Sequence, residues 1–466
     1  MIRILNGTML LLLLLCLAGI GEKAEAQALS LNEARERACR HNKQIAIADE
    51  TSFKAQHTLR AMKTNYLPKL SGSAYAYYTT KRKKELSLGS IETGPLLAGL
   101  QIPSGQQQLL APLLAIIPAQ VPLPSIPLEL DLNNSYVAGI AIEQPIYMGG
   151  KIIAGERMAR IGVEMARLNR LLGEDEVILA VDEAYWTLVQ TLEMQTTAEA
   201  YSRTIDEVYR VVNNAMNAGM RTEVDLMRVK VEQSQARLQL QRAANGVKLA
   251  RMNLCQVIGA PLTEPLTPTE SFPIEPTITA TAGDPTERPE YGLLSRQIEM
   301  KQAEVKLIRS DFLPHIGLRA AYTYTHGIRL NEQLLLDNGG PSVMVSVSLP
   351  IFRWGEGRAK IRAAQADQRI ATLKQAEIAE KIVLEQQQAE NRYYEMAAEV
   401  ELTRITVEET EQLLRQSHNR YQAGLDTTAS LLEAETIAVK AKGEHIAAKA
   451  KLALAHTALL KAMGRL

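Results

Sequence analysis

The sequence predicts an α+β membrane protein built from two copies of one structural unit, and three observations lead there. The chain repeats itself at long range. Two segments of roughly 65 residues are nearly free of Pro and Gly. Four runs of about ten residues alternate apolar and polar side chains as barrel strands do.

The repeat organises the rest. Pro145-Ile146-Tyr147 recurs as Pro350-Ile351-Phe352, 205 residues later. At the same offset Gly150 matches Gly355, Ala218-Gly219 matches Ala423-Gly424, Thr222 matches Thr427, Leu226 matches Leu431 and Gly259 matches Gly464. Upstream, Tyr66-Leu67-Pro68 recurs as Phe312-Leu313-Pro314 at an offset of 246, so the first copy carries 41 extra residues between these anchors. Each copy reads as a helix, an aromatic-Leu-Pro stop, two strands, a Pro-Ile-aromatic stop, a very long helix, a Gly turn and a return helix.

The long segments, 151–217 and 356–420, are rich in Ala, Glu, Gln, Leu and Arg, all good helix formers. Helices of that length reach about 100 Å and need bundle or coiled-coil packing. The return helices are expected at 223–257 and 427–462. The segment between Pro261 and Pro289 also holds Pro265, Pro268, Pro273, Pro276 and Pro285, so it is a linker. A short strand near 277–282 is expected in it.

The N-terminus reads as an export signal: Arg3, an apolar stretch from Met9 to Ile20, then Ala24-Glu25-Ala26 as a cleavage site. Cys16 follows Leu15, where a lipid-attachment motif wants a small residue, which disfavours lipidation. Cys39 and Cys255 then remain, and a disulfide or two buried thiols are both open. The expected organisation is a signal peptide at 1–26 and a first copy at 27–262, with strands near 69–80 and 134–144, a loop at 81–133 and a helical hairpin at 148–258. A linker at 263–286 leads to a second copy at 287–466, with strands near 315–325 and 342–350 and a hairpin at 356–464.

The strand runs carry the membrane argument. Val343, Val345, Val347 and Leu349 share one face, and Ser342, Met344, Ser346 and Ser348 the other. Ile316, Leu318, Ala320, Tyr322 and Tyr324 alternate in the same way, as do Leu70, Gly72, Ala74, Ala76 and Tyr78, then Tyr136, Ala138, Ile140 and Ile142. Strands alone also fit two half-buried hairpins of a soluble protein. A barrel, however, needs at least about eight strands, and lipid tolerates no open edge. Four strands per chain therefore require an oligomer. The strands of each hairpin lead into helices on one side, the periplasm, so the hairpin turns face outward. The uncharged Thr93–Leu128 stretch, whose prolines exclude a spanning helix, is either a tolerated surface loop or a cap over the mouth, with a short helix near 106–114.

Other chemistry is excluded. Lys+Arg and Asp+Glu both count 52, and no basic stripe marks a nucleic-acid binder. His41, His57, His315, His326, His418, His445 and His456 have no metal-ligand spacing. Met148-Gly149-Gly150-Lys151 fails as a phosphate loop, because Pro145 replaces its first Gly and Ile152 its Ser/Thr. There is no G-x-S-x-G. Neither catalysis nor a cofactor nor a metal is expected.

Gln144-Pro145-Ile146-Tyr147-Met148-Gly149-Gly150 and Leu349-Pro350-Ile351-Phe352-Arg353-Trp354-Gly355, together with the doubled turns around Gly219 and Gly424, resemble the TolC-like outer-membrane efflux family over essentially the whole mature chain. In that family such stops, here Pro145, Gly150, Pro350 and Gly355, mark the passage from barrel strand to long helix. The resemblance implies a homotrimer in outer-membrane lipid. Its twelve-stranded barrel would continue into an α-helical tunnel across the periplasm, with tips that meet an adaptor protein and an inner-membrane pump. Gly219, Arg221, Asp225, Tyr421, Gly424, Asp426, Ser430 and Glu433 fall at the tips and gate. The best-known member narrows its pore with an Asp-rich pattern; the matching positions here are Ser430 and Glu433. Three copies of Glu433 would form a cation-favouring ring, unless Glu433 is a solvated helix residue. Asp426 replaces a basic residue, and Arg221 could pair with Asp225 or Asp426. The implied activity is passive export through a channel opened by its partners. The alternative is a periplasmic coiled-coil scaffold or pump adaptor.

Overall fold

The computed structural model describes residues 27–79, 82–86, 89–98, 116–123, 126–273 and 283–466. The expected signal peptide with Cys16, the expected helix near 106–114 and the expected strand near 277–282 lie outside the described residues. The elements in order are β1 (Gln27–Leu29), α1 (Leu31–His41), α2 (Lys43–Lys63), β2 (Lys69–Tyr77), β3 (Arg82–Leu86), β4 (Ser90–Glu92), α3 (Thr93–Ala98), β5 (Gln120–Pro122), β6 (Ile126–Asp131) and β7 (Ser135–Met148). Then come α4 (Lys151–Asn217), α5 (Glu223–Ile258), β8 (Leu266–Pro268), α6 (Pro289–Ser310), β9 (His315–Leu330), β10 (Gln333–Ser348), α7 (Glu356–Gln422) and α8 (Thr428–Ala462). The chain divides into two compact units, one of Ala61–Gly155 with Lys306–Ile361 and one of the remaining helices.

The sheet unit is an antiparallel ribbon in the order β2-β7-β9-β10. Paired residues share a face. Leu70, Ile142, Ala320 and Val343 form one rank, and Gly72, Ile140 and Tyr322 the next. This face is apolar and uncovered: Leu70 is 73% exposed and Val343 74%. The opposite face carries Ser71, Ala141, Ala321 and Ser342, then Ser73, Gly139, Thr323 and Gly340. A soluble antiparallel sheet buries its apolar face and wets the other. Here no layer of the described chain covers the apolar side.

Several bounds differ from expectation. β9 and β10 are 16 residues each, longer than 315–325 and 342–350. The ladder runs on to a two-residue turn at Asn331-Glu332, where both φ are positive, as such hairpin turns require. Pro341 lies within β10, whose one neighbour among the described residues is β9. β7 likewise continues past 144, through Pro145. Beyond Glu143, which faces Lys69 at the start of β2, β7 pairs only with β9, and an irregularity lies between Pro145 and Tyr147. The span 81–133 is not a plain loop: β3 and β6 form a hairpin that pairs with the end of β9, and β4 pairs β5 around α3.

In the helical unit, α4 and α7 have 67 residues each. The N-terminal strand β1 adds in parallel to β8, Gln27 opposite Leu266, which puts a strand into the linker earlier than expected. Tyr185, fully buried, donates to the Leu29 carbonyl at 3.1 Å, and Trp186 stacks on Phe272 with centroids 5.5 Å apart. Arg35 binds both oxygens of the fully buried Asp182, and Thr457 donates to Asp182 Oδ2 at 2.6 Å. That junction ties α1, α4 and α8 together. Cys39 and Cys255 are free thiols, so no disulfide joins them.

Two hydrogen bonds follow the sequence offsets. Asn42 Nδ2 donates to the Val257 carbonyl at 2.8 Å, and Arg288 donates to the Ala462 carbonyl at 3.3 Å. The donors are 246 apart and the acceptors 205 apart, the two offsets of the repeat.

Candidate functional site

Both helix-to-helix turns are built on one device. In the first, Gly219 N donates to Met216 O at 2.9 Å and Met220 N to Ala215 O at 2.8 Å. In the second, Gly424 N donates to Tyr421 O at 3.1 Å and Leu425 N to Arg420 O at 2.9 Å. This is the Schellman closure, which needs a left-handed residue after the helix; φ is +78° at Gly219 and +73° at Gly424. Met220 and Leu425, which follow the turn glycines, are 73% and 72% exposed.

The next helix starts with a cap. Thr222 Oγ1 accepts from Asp225 N at 3.3 Å, and Asp225 Oδ2 accepts from Thr222 N at 3.2 Å, which makes a capping box. The hydrogen bond from the Thr222 hydroxyl holds the Asp225 carboxyl below its ordinary range. In the second tip the partner of Thr427 is Ser430, whose N–H donates to Thr427 Oγ1 at 3.1 Å. Ser430 is too short to return to the Thr427 N–H, and Asp426 does so instead at 2.9 Å. That backbone hydrogen bond lowers the Asp426 carboxyl. Asp225, Asp426 and Ser430 therefore serve local capping.

Arg221 pairs with neither Asp225 nor Asp426. Its guanidinium lies 4.7 Å from the centre of the Tyr421 ring, joining one tip to the other. Asp426 instead has Arg420 at 3.9 Å. Beneath the turns, Tyr201, Ile205, Val208 and Val212 of α4 pack with Leu226 and Val229 of α5, Tyr421 of α7 and Leu431 of α8. Leu226 and Leu431 are 5% and 1% exposed, and burial of each contributes about 2 kcal/mol.

Glu433 is exposed on α8 and has no hydrogen-bond or ion-pair partner among the described residues. Arg228 stands 205 residues before it, also exposed. Sequence reasoning missed Arg228, although the repeat offset points to it. It also missed Glu435, which is 8% exposed and whose carboxyl is pushed up by burial against the lowering influence of His418 and Lys442.

At the strand-to-helix passages the prolines are not equivalent, since β7 runs through Pro145 whereas β10 ends before Pro350. The glycines are. Gly150 and Gly355 have φ of +85° and +81°, and their carbonyls accept the first helical bonds of α4 and α7, from Ala154 at 2.9 Å and Ala359 at 3.1 Å. Before them, Gly149 and Trp354 are also left-handed. A Cβ at Gly149 would lie 2.6 Å from the Ser310 carbonyl oxygen, whereas the Trp354 side chain is 90% exposed.

Among the described residues no group of acidic, His or Cys side chains could hold a metal, and no helix is long and apolar enough to cross a membrane.

Residues 34–260 and 295–465 match the outer membrane efflux protein family. The alkaline protease secretion protein AprF of Pseudomonas aeruginosa is 24% identical over 329 residues, covering 68% of this chain and 67% of the relative. The outer membrane efflux protein BepC of Brucella suis biovar 1 is 23% identical over 344 residues, covering 72% and 74%. The crystal structure of the CmeC outer membrane channel of Campylobacter jejuni superposes with a TM-score of 0.70 at 17% identity, covering 93% of this chain and 85% of that one. With two long helical hairpins and a family match over residues 34–260 and 295–465, the chain belongs to the outer membrane efflux protein family, TolC-like proteins of the outer membrane.

Proposed function

We propose that three copies of the chain form a passive exit channel of a tripartite efflux or secretion system. The observation that carries this reading is the unfinished sheet. Its apolar face is uncovered, its other face is small and polar, and β2 and β10 each have a single neighbour within the described chain. In lipid an open edge is untenable, so β10 of one copy pairs with β2 of the next until the barrel closes. Three copies supply twelve principal strands, with the polar face lining the pore. The long hairpins then form the periplasmic tunnel, and their tips are the gate. They dilate when a periplasmic adaptor and an inner-membrane pump engage them.

Glu433 and Arg228 are exposed charges 205 residues apart, at equivalent positions beside the two tips. In the trimer they alternate around the constriction, with Glu433 favouring cations and Arg228 opposing it. No step of the passage is chemical, so transport draws on the pump. The scaffold or adaptor alternative leaves the lipid-type face without a purpose. Reconstitution into planar bilayers tests the reading: discrete single-channel conductances are expected, and a protein that never conducts, even with its tips loosened, overturns it.

A further inference from the structure

The sheet unit contains a cavity of about 680 Å³ on the side of the small, polar face, a volume suited to one drug-sized molecule. Met62, Met148, Ile152 and Leu307 supply an apolar wall. Lys69, Arg319 and Lys151 bring three cations to it. Glu143 faces Arg319 at 3.5 Å and Asp311 binds Lys151 at 2.9 Å. Lys69 is left over: it donates to the neutral Asn65 Oδ1 at 2.9 Å and has no carboxylate within 4.0 Å among the described residues. Gly155 leaves space on the wall, since a Cβ there would meet only Met62 Sδ, at 3.9 Å.

We propose that this cavity binds an anionic amphiphile, one molecule per chain: a single negative group held by Lys69 and Arg319 on an apolar body that fills the Met and Leu wall. One surplus positive charge at the rim of an apolar cavity discriminates by charge, because an anion gains the charge-assisted hydrogen bonds that a neutral molecule of the same shape forgoes. The conduit reading supplies only the route by which such a molecule arrives, from the pore.

Purified full-length protein in phosphatidylcholine nanodiscs is titrated with anilinonaphthalene sulfonate and, in parallel, with the uncharged phenylnaphthylamine, each against empty discs. The expected result is saturable sulfonate binding at one per chain, about tenfold tighter than the neutral probe. Lys69→Gln with Arg319→Gln removes that preference, and Gly155→Leu, which plugs the cavity from a helix that accepts Leu readily, removes both probes. Absence of saturable binding, equal affinities in the native protein, or a preference unchanged in the double variant overturns the site. The comparison of the two probes on native protein needs no variant to fold. A failure here leaves bilayer conductance, and with it the conduit reading, untouched.

Discussion

Gly424→Ala and Gly259→Ala share a backbone conformation and differ in their surroundings, which makes the pair a test of how the tips are built. The φ values are +73° and +75°. Placing a Cβ in the left-handed region costs about 1 kcal/mol at either site. At Gly424 nothing lies within 4 Å of that Cβ, so strain is the whole effect. At Gly259 the new carbon would sit 2.5 Å from the His41 carbonyl oxygen and 2.8 Å from its carbon. Backbone has to move, adding about 1–3 kcal/mol of overpacking. Hydrogen exchange reads both locally. Gly424→Ala should speed exchange about fivefold at the amides that open with the tip, and leave the segment around His41 unchanged. Gly259→Ala should speed exchange around His41 by about thirtyfold or more, and lower the melting temperature. Equal effects at the two sites, or a larger effect at Gly424, would refute the reasoning.

Asp182→Ala removes the centre of the Arg35–Asp182–Thr457 junction; with Arg35 29% exposed, the loss should be about 3 kcal/mol in denaturant unfolding, the low end for breaking a buried pair. Glu435 and Asp225 should respond to pH with opposite signs. Burial raises the Glu435 carboxyl, so its folded form binds the extra proton; stability is full below the ordinary Glu range and falls as pH rises through the raised value. Glu435→Gln should flatten that fall in melts taken between acidic and neutral pH. The lowered Asp225 carboxyl stabilises its cap above the ordinary Asp range, and the gain is lost as pH drops through the folded value, so Asp225→Asn should blunt the acid loss of tip protection. In bilayers Glu433→Gln should reduce cation preference and Arg228→Gln should increase it; matching shifts of the same sign would remove both from the pore.

Much of this arrangement was legible at the level of residues. The 205-residue offset already pairs Gly219 with Gly424, and the structure turns that pair into two equivalent helix closures. The alternation around Val343 and Ile316 is the apolar face of the sheet. What was not legible depends on neighbours. Gly339, Gly340 and Pro341 fall outside the expected strand, yet ladder partners carry them as strand. Pro145 reads as a stop, but a stretch with one neighbour and an irregular register absorbs it. At the tips, Arg221 finds an aromatic ring rather than a carboxylate, while Asp225 and Asp426 cap Thr222 and Thr427. The Thr222-x-x-Asp225 spacing shows the first commitment; no spacing rule shows the second, since it follows from Ser430 being too short to close its own box.

Completion of the sheet by copies of the same chain is read out by native mass spectrometry of the protein released from detergent. A complex of three chain masses that survives mild activation is expected, and a stable monomer as the dominant species would rule the trimer out.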